Sequence, residues 1–286
     1  MNIIKYNSTY ISKDIVEQCF EQSNYSFVDK QLTGNGFTTA YLNLPVAKGK
    51  SNIIIVPNKQ VVISKKQQHE YISRYGTDEE ISNLKNIGFF FGDASSDKLE
   101  FGRYDTMMFV VDSFLNYEGV LIENKDCLGK ILIDEVHSML IQSKFRNRLV
   151  GFLDCVQENF PDNKIVSVTA TPMLFNKVDI KLYKTNIEQR TINISTNQEN
   201  TLKRIKNDLK EGKNVVVALQ DVRILKKLCN EDGTLEANVK VGNILLLKMC
   251  EAFKLKMNKE SNLTISSSAS FEGFDVDNGI NNTYIF

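Results

Sequence analysis

Residues 31–42 read QLTGNGFTTAYL. Two closely spaced glycines allow a tight turn in which successive backbone N–H groups point inward, an arrangement that holds phosphate oxygens at the start of a helix. The hydroxyls of Thr38 and Thr39 follow, Thr38 where a phosphate loop places its Mg²⁺-coordinating Ser or Thr. Phe37 stands where such a loop carries a lysine, whose ammonium reaches the β- and γ-phosphates. The turn therefore predicts a nucleotide site lacking its usual cation. Lys48, Lys50 and Lys59, near in sequence, are the candidates to replace it.

Whether the turn serves a nucleotide depends on what surrounds it. Apolar runs rich in β-branched residues recur at 52–57, 106–114, 130–135, 164–171, 214–219 and 262–269, with helical patterns between them. Continuous rather than alternating runs suit strands covered on both faces, so the pattern predicts an α/β fold with parallel sheets flanked by helices. In NTLKRIKNDLKEGKN (200–214), Leu202, Ile205 and Leu209 share one helical face before Gly212, the signature of a crossover helix and its stop. A length of 286 residues suits two domains. The irregular polar stretch 176–198 places their boundary near residue 180, to within about ten residues, giving domains 1–180 and 181–286, the second short.

The run KILIDEVHSML (130–140) ends in Asp134-Glu135, with His137 just beyond. Carboxylates at the carboxyl end of a buried parallel strand stand at the rim where such sheets bind ligands. There Asp134 would hold a metal, and Glu135 would orient and deprotonate a water. SVTATP (167–172) puts hydroxyls at the end of another run, which for that segment alone is also an ordinary strand-to-turn transition closed by Pro172.

Composition narrows the classes. A hydrophobic content of 42% and a charged content of 24% describe a folding chain rather than a disordered one. Lys+Arg and Asp+Glu both number 35, so no global positive field argues for nucleic acid, and any such contact must be local. Five scattered cysteines and two histidines exclude a disulfide framework or a zinc-finger pattern and suit a cytoplasmic protein. The N-terminus lacks the pattern of a signal peptide, and no run is long enough to span a membrane.

Taken in order, these segments resemble superfamily 2 helicases and translocases of the DExH type. TGNGFTT (33–39) is similar to motif I, IIIVPNKQ (53–60) to Ia, FFFGDA (89–94) to the strand-Gly-Asp after it, and FVVDSFLN (109–116) to the Ib region. DEVH (134–137) is similar to motif II, SVTATP to III, VVVALQD (215–221) to IV and SSSASFEGFDV (266–276) to V. The resemblance spans roughly residues 30–277 and implies two RecA-like domains using ATP and Mg²⁺. It implies that Thr33, Gly34, Asn35, Gly36, Phe37, Thr38 and Thr39 surround the triphosphate, with Gly273 and Asp275 facing it from the second domain. Thr38 and Asp134 would hold the metal, with Asp134 and Glu135 as the catalytic pair. His137, Thr169 and Thr171 would couple nucleotide state to domain placement, and Pro57, Asn58, Lys59, Ser113 and Ser268 would line a nucleic-acid strand, DNA in preference to RNA.

The same resemblance leads one to expect an arginine-bearing motif after motif V. The sequence stops at NGINNTYIF, so a longer protein or a protein partner is expected to complete the cleft. A composition rich in lysine, isoleucine and asparagine suits an AT-rich genome such as that of a phage or mobile element. The residues leave open a motor acting in replication, recombination or repair, a duplex translocase, and a helicase-like binding module with weak turnover.

Overall fold

A computed structural model of the chain describes residues 1–32, 34–92, 98–144, 146–185, 198–219, 222–229, 235–240, 256–258, 261–267 and 282–285. They form two compact units, Met1–Glu188 and Gln189–Phe286.

The first unit runs β1 (Asn2–Tyr6), α1 (Lys13–Glu21), β2 (Tyr25–Asp29), α2 (Phe37–Leu42), β3 (Ser51–Val56), α3 (Lys59–Tyr75), α4 (Asp78–Ser82) and β4 (Ile87–Phe90). It continues through β5 (Thr106–Val110), α5 (Val111–Glu123), β6 (Leu128–Asp134), α6 (Val136–Ser143), α7 (Phe152–Asn159), β7 (Ile165–Thr169) and β8 (Ile180–Lys184). The strands form one sheet, ordered β1-β8-β2-β7-β6-β3-β5-β4, and every pairing is parallel.

Alternation along the central strands explains why their apolar runs are unbroken. Ile54 and Val56 of β3, Met108 and Val110 of β5, and Leu132 of β6 enter one core, which α1, α2 and α3 complete with Val16, Phe20, Phe37, Tyr41 and Val62. Ile53 and Ile55, Met107 and Phe109, and Ile131 and Ile133 point to the other face, where α5, α6 and α7 supply Phe114, Met139 and Val156. With helices on both faces, both sides of these central strands are mainly apolar.

Two expectations change at the residue level. The run at 106–114 is not one strand: β5 ends at Val110, and Val111 already begins α5. The division between units falls beyond residue 180, because β8 hydrogen-bonds with β1 and β2 and so belongs to the first sheet.

The second unit comprises α8 (Gln198–Lys210), β9 (Val215–Leu219), α9 (Val222–Leu228), β10 (Glu236–Lys240), β11 (Lys256–Met257), β12 (Leu263–Ser267) and β13 (Asn282–Ile285). Its parallel sheet is ordered β11-β10-β12-β9-β13. Leu202 and Ile205 of α8 pack on Val215, Val217 and Ile265. Just past α8, Gly212 adopts φ 73°, and the Lys213 N–H returns to the Asp208 carbonyl, closing the helix as its sequence predicts. Among the described residues no helix is long and apolar enough to cross a membrane.

Candidate nucleotide site

Three strand ends meet at one rim of the first sheet. β7 lies between β2 and β6, pairing Asp29 with Thr169 and Asp134 with Val168, so the carboxyl ends of all three strands stand level. The chain leaving β2 crosses over β7 and β6 to reach β3 on the far side. Open α/β sheets bind ligands in the crevice at such a switch in strand order.

The acid pair sits at the end of β6. Glu135 has φ 47° and ψ 46°, left-handed backbone that is uncommon for a residue with a β-carbon, and it turns the chain directly from strand into α6. Asp134 is buried. Its Oδ2 accepts a short hydrogen bond from the Thr38 hydroxyl, while Oδ1 accepts from the Glu135 N–H at 3.0 Å and lies 3.2 Å from the Lys30 ammonium. The same ammonium is 2.7 Å from Glu135 Oε1. The glycine turn and the acid pair therefore share one cluster of side chains.

Lys30 is the residue that sequence reasoning missed. It is 4% exposed, immediately follows β2, and donates its backbone N–H to the Thr169 carbonyl at 2.8 Å. Burial would lower its pKa, but the carboxylates of Asp134 and Glu135 overcome this and raise it. Burial would likewise raise Glu135, and the neighbouring imidazole of His137 together with the Lys30 ammonium lowers it instead, to about 2. Both groups are thus charged at neutral pH. The signal was present: Asp29-Lys30 closes a short apolar run directly before the glycine turn, just as Asp134-Glu135 closes β6.

The turn itself is braced from within. Gly34 and Gly36 adopt φ 66° and 83°. Between them the buried Asn35 donates from Nδ2 to the Lys30 carbonyl at 3.0 Å and accepts from the Phe37 N–H at 3.2 Å. Phe37 requires a correction, since its side chain, 1% exposed, is part of the hydrophobic core rather than of the site, and its N–H is engaged by Asn35. Thr39 is exposed, and its hydroxyl accepts from Lys65 Nζ at 3.1 Å. Thr33 lies outside the described residues.

The three residues expected to act in coupling form a chain that starts at the acid. Glu135 Oε2 lies 3.3 Å from His137 Nδ1, and this nitrogen is 2.7 Å from the Thr169 hydroxyl, which accepts from the Thr171 N–H at 2.9 Å. Glu135 Oε2 is buried, with this approach to His137 as its polar contact. The His137 imidazole is near it but engaged with Thr169.

The expected nucleic-acid contacts are less uniform. Pro57 is buried, and Asn58 caps α3 by accepting from the Val61 N–H at 3.2 Å. Lys59 is exposed, its ammonium 5.4 Å from the centre of the Phe91 ring, with Lys66 5.6 Å from the same ring. Ser113 requires a second correction: it is 4% exposed and its hydroxyl accepts from the Gly92 N–H at 2.7 Å, so it fixes a loop instead of presenting a surface contact. Lys48 and Lys50 are exposed. Among the described residues, Lys30 is the lysine at ion-pair distance from Asp134 and Glu135. Ser268, Gly273 and Asp275 lie outside the described residues.

No protein-family model and no curated protein matches the sequence. Solved structures do. The Mycobacterium smegmatis helicase Lhr bound to ssDNA and AMP-PNP matches with a TM-score of 0.54 at 14% identity, over 92% of this chain and 40% of that one. The DEAD-box helicase Mss116 bound to ssRNA and UDP-BeF matches with a TM-score of 0.62 at 13% identity, over 100% of this chain and 71% of the other. Dbp5 of S. cerevisiae bound to RNA and ADP BeF3 gives 0.52 at 14% identity, over 90% and 70%. The chain thus spans less than half of Lhr and somewhat over two thirds of the other two. At such identities the likeness establishes the fold, an α/β arrangement of the RecA-like kind found in helicases.

Proposed function

We propose that the chain is a nucleic-acid-dependent nucleoside triphosphatase of the superfamily 2 helicase kind, acting as a helicase or translocase on DNA in preference to RNA. The observation that carries this reading is the single cluster of Thr38, Asp134, Glu135 and Lys30 at the switch point of a parallel sheet. Support comes also from the fold it shares with helicases solved with nucleotide analogues and single strands bound.

In this reading Thr38 and Asp134 hold Mg²⁺. Among the described residues no group of three or more His, Cys, Asp or Glu side chains gathers as a metal cage. Mg²⁺ does not need one, since it keeps several waters and binds through one or two carboxylates plus substrate phosphates. Hard hydroxyl and carboxylate oxygens on one spot suit it. When bound, the ion would offset the charge of the phosphate oxygens.

The chain's own groups do the rest. Glu135 orients a water and takes its proton as the oxygen attacks the γ-phosphorus in line, while the bond from that phosphorus to the β,γ-bridging oxygen breaks and the nucleoside diphosphate leaves. The Glu135 carboxylate is held between the Lys30 ammonium at 2.7 Å and His137 Nδ1 at 3.3 Å. His137, Thr169 and Thr171 relay the state of that carboxylate along the rim, and Lys59 contacts the strand backbone.

The test is ATP hydrolysis by the full chain with no nucleic acid, with single-stranded DNA and with single-stranded RNA, against Glu135→Gln. Stimulated hydrolysis is expected, with a loss of about 10²–10⁴-fold in the variant. A wild type that binds a strand yet never turns over ATP is a binding module, and the proposal then fails.

A further inference from the structure

We propose that Lys30 is the phosphate-binding cation of this site, supplied from the end of β2 instead of from the first turn of α2. This inference rests on the nucleotide-binding reading above and names the residue that makes it work without a lysine at position 37.

The geometry points to it in three ways. Position 37 itself is closed to a cation, because Phe37 is locked into the core beneath the turn. Lys30 is tied to that same turn, its carbonyl accepting from Asn35, and its ammonium shares the Asp134 carboxylate with the Thr38 hydroxyl. The cation therefore lies beside the hydroxyl that the turn brings to the rim. Its three N–H donors are not exhausted by Asp134 and Glu135, which leaves one for a phosphate oxygen.

A purely structural ion pair explains the cluster less well. A buried pair adds little net stability over apolar residues of similar volume. Asp134 and Glu135 share one lysine at this rim, so the pair retains excess negative charge that suits an incoming cation. Lys30 holds the acid pair in the nucleotide-free chain and turns to the phosphates when the pair is engaged otherwise.

The experiment titrates the full chain with mant-ATP plus Mg²⁺ and, separately, with mant-AMP, following fluorescence. Lys30→Met is expected to weaken mant-ATP binding by about ten- to a hundred-fold, the worth of one charge-assisted contact, and to leave mant-AMP binding within about twofold. Should Lys30→Met strand the carboxylates and unfold the chain, Lys30→Met is made in the Glu135→Gln background, compared with Glu135→Gln alone, and the same difference is expected. Equal binding of mant-ATP by parent and variant, or equal loss of both nucleotides in a folded variant, overturns the role of Lys30 while leaving nucleotide binding intact. A wild type that binds neither nucleotide overturns both proposals.

Discussion

The hydroxyl of Thr38 donates to the carboxylate of Asp134 across 96 positions of sequence. That bond joins the glycine turn after β2 to the acid pair after β6, with β7 between the two strands. Thr38→Val would remove it. Losing the donor to a buried carboxylate is expected to cost about 1–3 kcal/mol in a urea melt of the full chain. It is also expected to weaken Mg²⁺-dependent nucleotide binding while leaving binding in EDTA unchanged. Identical magnesium dependence in wild type and variant would exclude Thr38 as a ligand.

The two glycines of the turn should respond unequally to alanine. Both hold left-handed backbone, which costs a residue with a β-carbon about 1–2 kcal/mol. At Gly34 an added β-carbon meets nothing within 4 Å, whereas at Gly36 it would lie 3.1 Å from the β-carbon of Tyr10. A β-carbon moves only with its backbone. Gly36→Ala is therefore expected to cost roughly 1–3 kcal/mol more than Gly34→Ala, the typical penalty for overpacking. Equal melting curves for the two variants would mean that the segment around Tyr10 yields freely.

Cys19 makes the first unit sensitive to alkali. It is fully buried on α1, and burial pushes its thiol up to about 12 from an ordinary 9.0. Between those values the unfolded chain loses the proton and the folded chain keeps it, so the stabilisation present below pH 9 falls as pH rises through this window. Stability measured by denaturant at pH 8 and pH 10 should drop more steeply in the wild type than in Cys19→Ala. Parallel slopes would refute the assignment. Tyr25 and Tyr41, also raised by burial, act in both proteins and leave the comparison sound.

What could be foreseen follows from burial. β3, β6 and β7 are covered on both faces, so Ile53–Val56 and Ile131–Ile133 stand out as unbroken apolar runs, and Ile165–Val168 as one interrupted by the buried Ser167. β1 lies at the edge of the sheet and carries exposed side chains, and β8 beside it is mixed, so neither resembles a buried strand. β2 is short and ends in a buried carboxylate and ammonium, which hid both the strand and Lys30. The glycine turn, the acid pair and His137 were legible because their chemistry is local. That Ser113 would close on Gly92, and that Phe37 would turn inward, depended on tertiary packing. Apart from Ser266 and Ser267 at the end of β12, the segment resembling motif V lies outside the described residues.

Gln31 and Glu135 are the non-glycine residues with positive φ among the described residues, at 57° and 47°, and Lys30 and Asp134 stand immediately before them. Glycine would adopt either bend more cheaply. Selection of this chain for heat resistance alone should therefore favour glycine at both places, relaxing the two left-handed bends that follow the ammonium and the carboxylate. A chain hardened in that way would keep its sheet and lose the Glu135 carboxylate that the proposed hydrolysis needs.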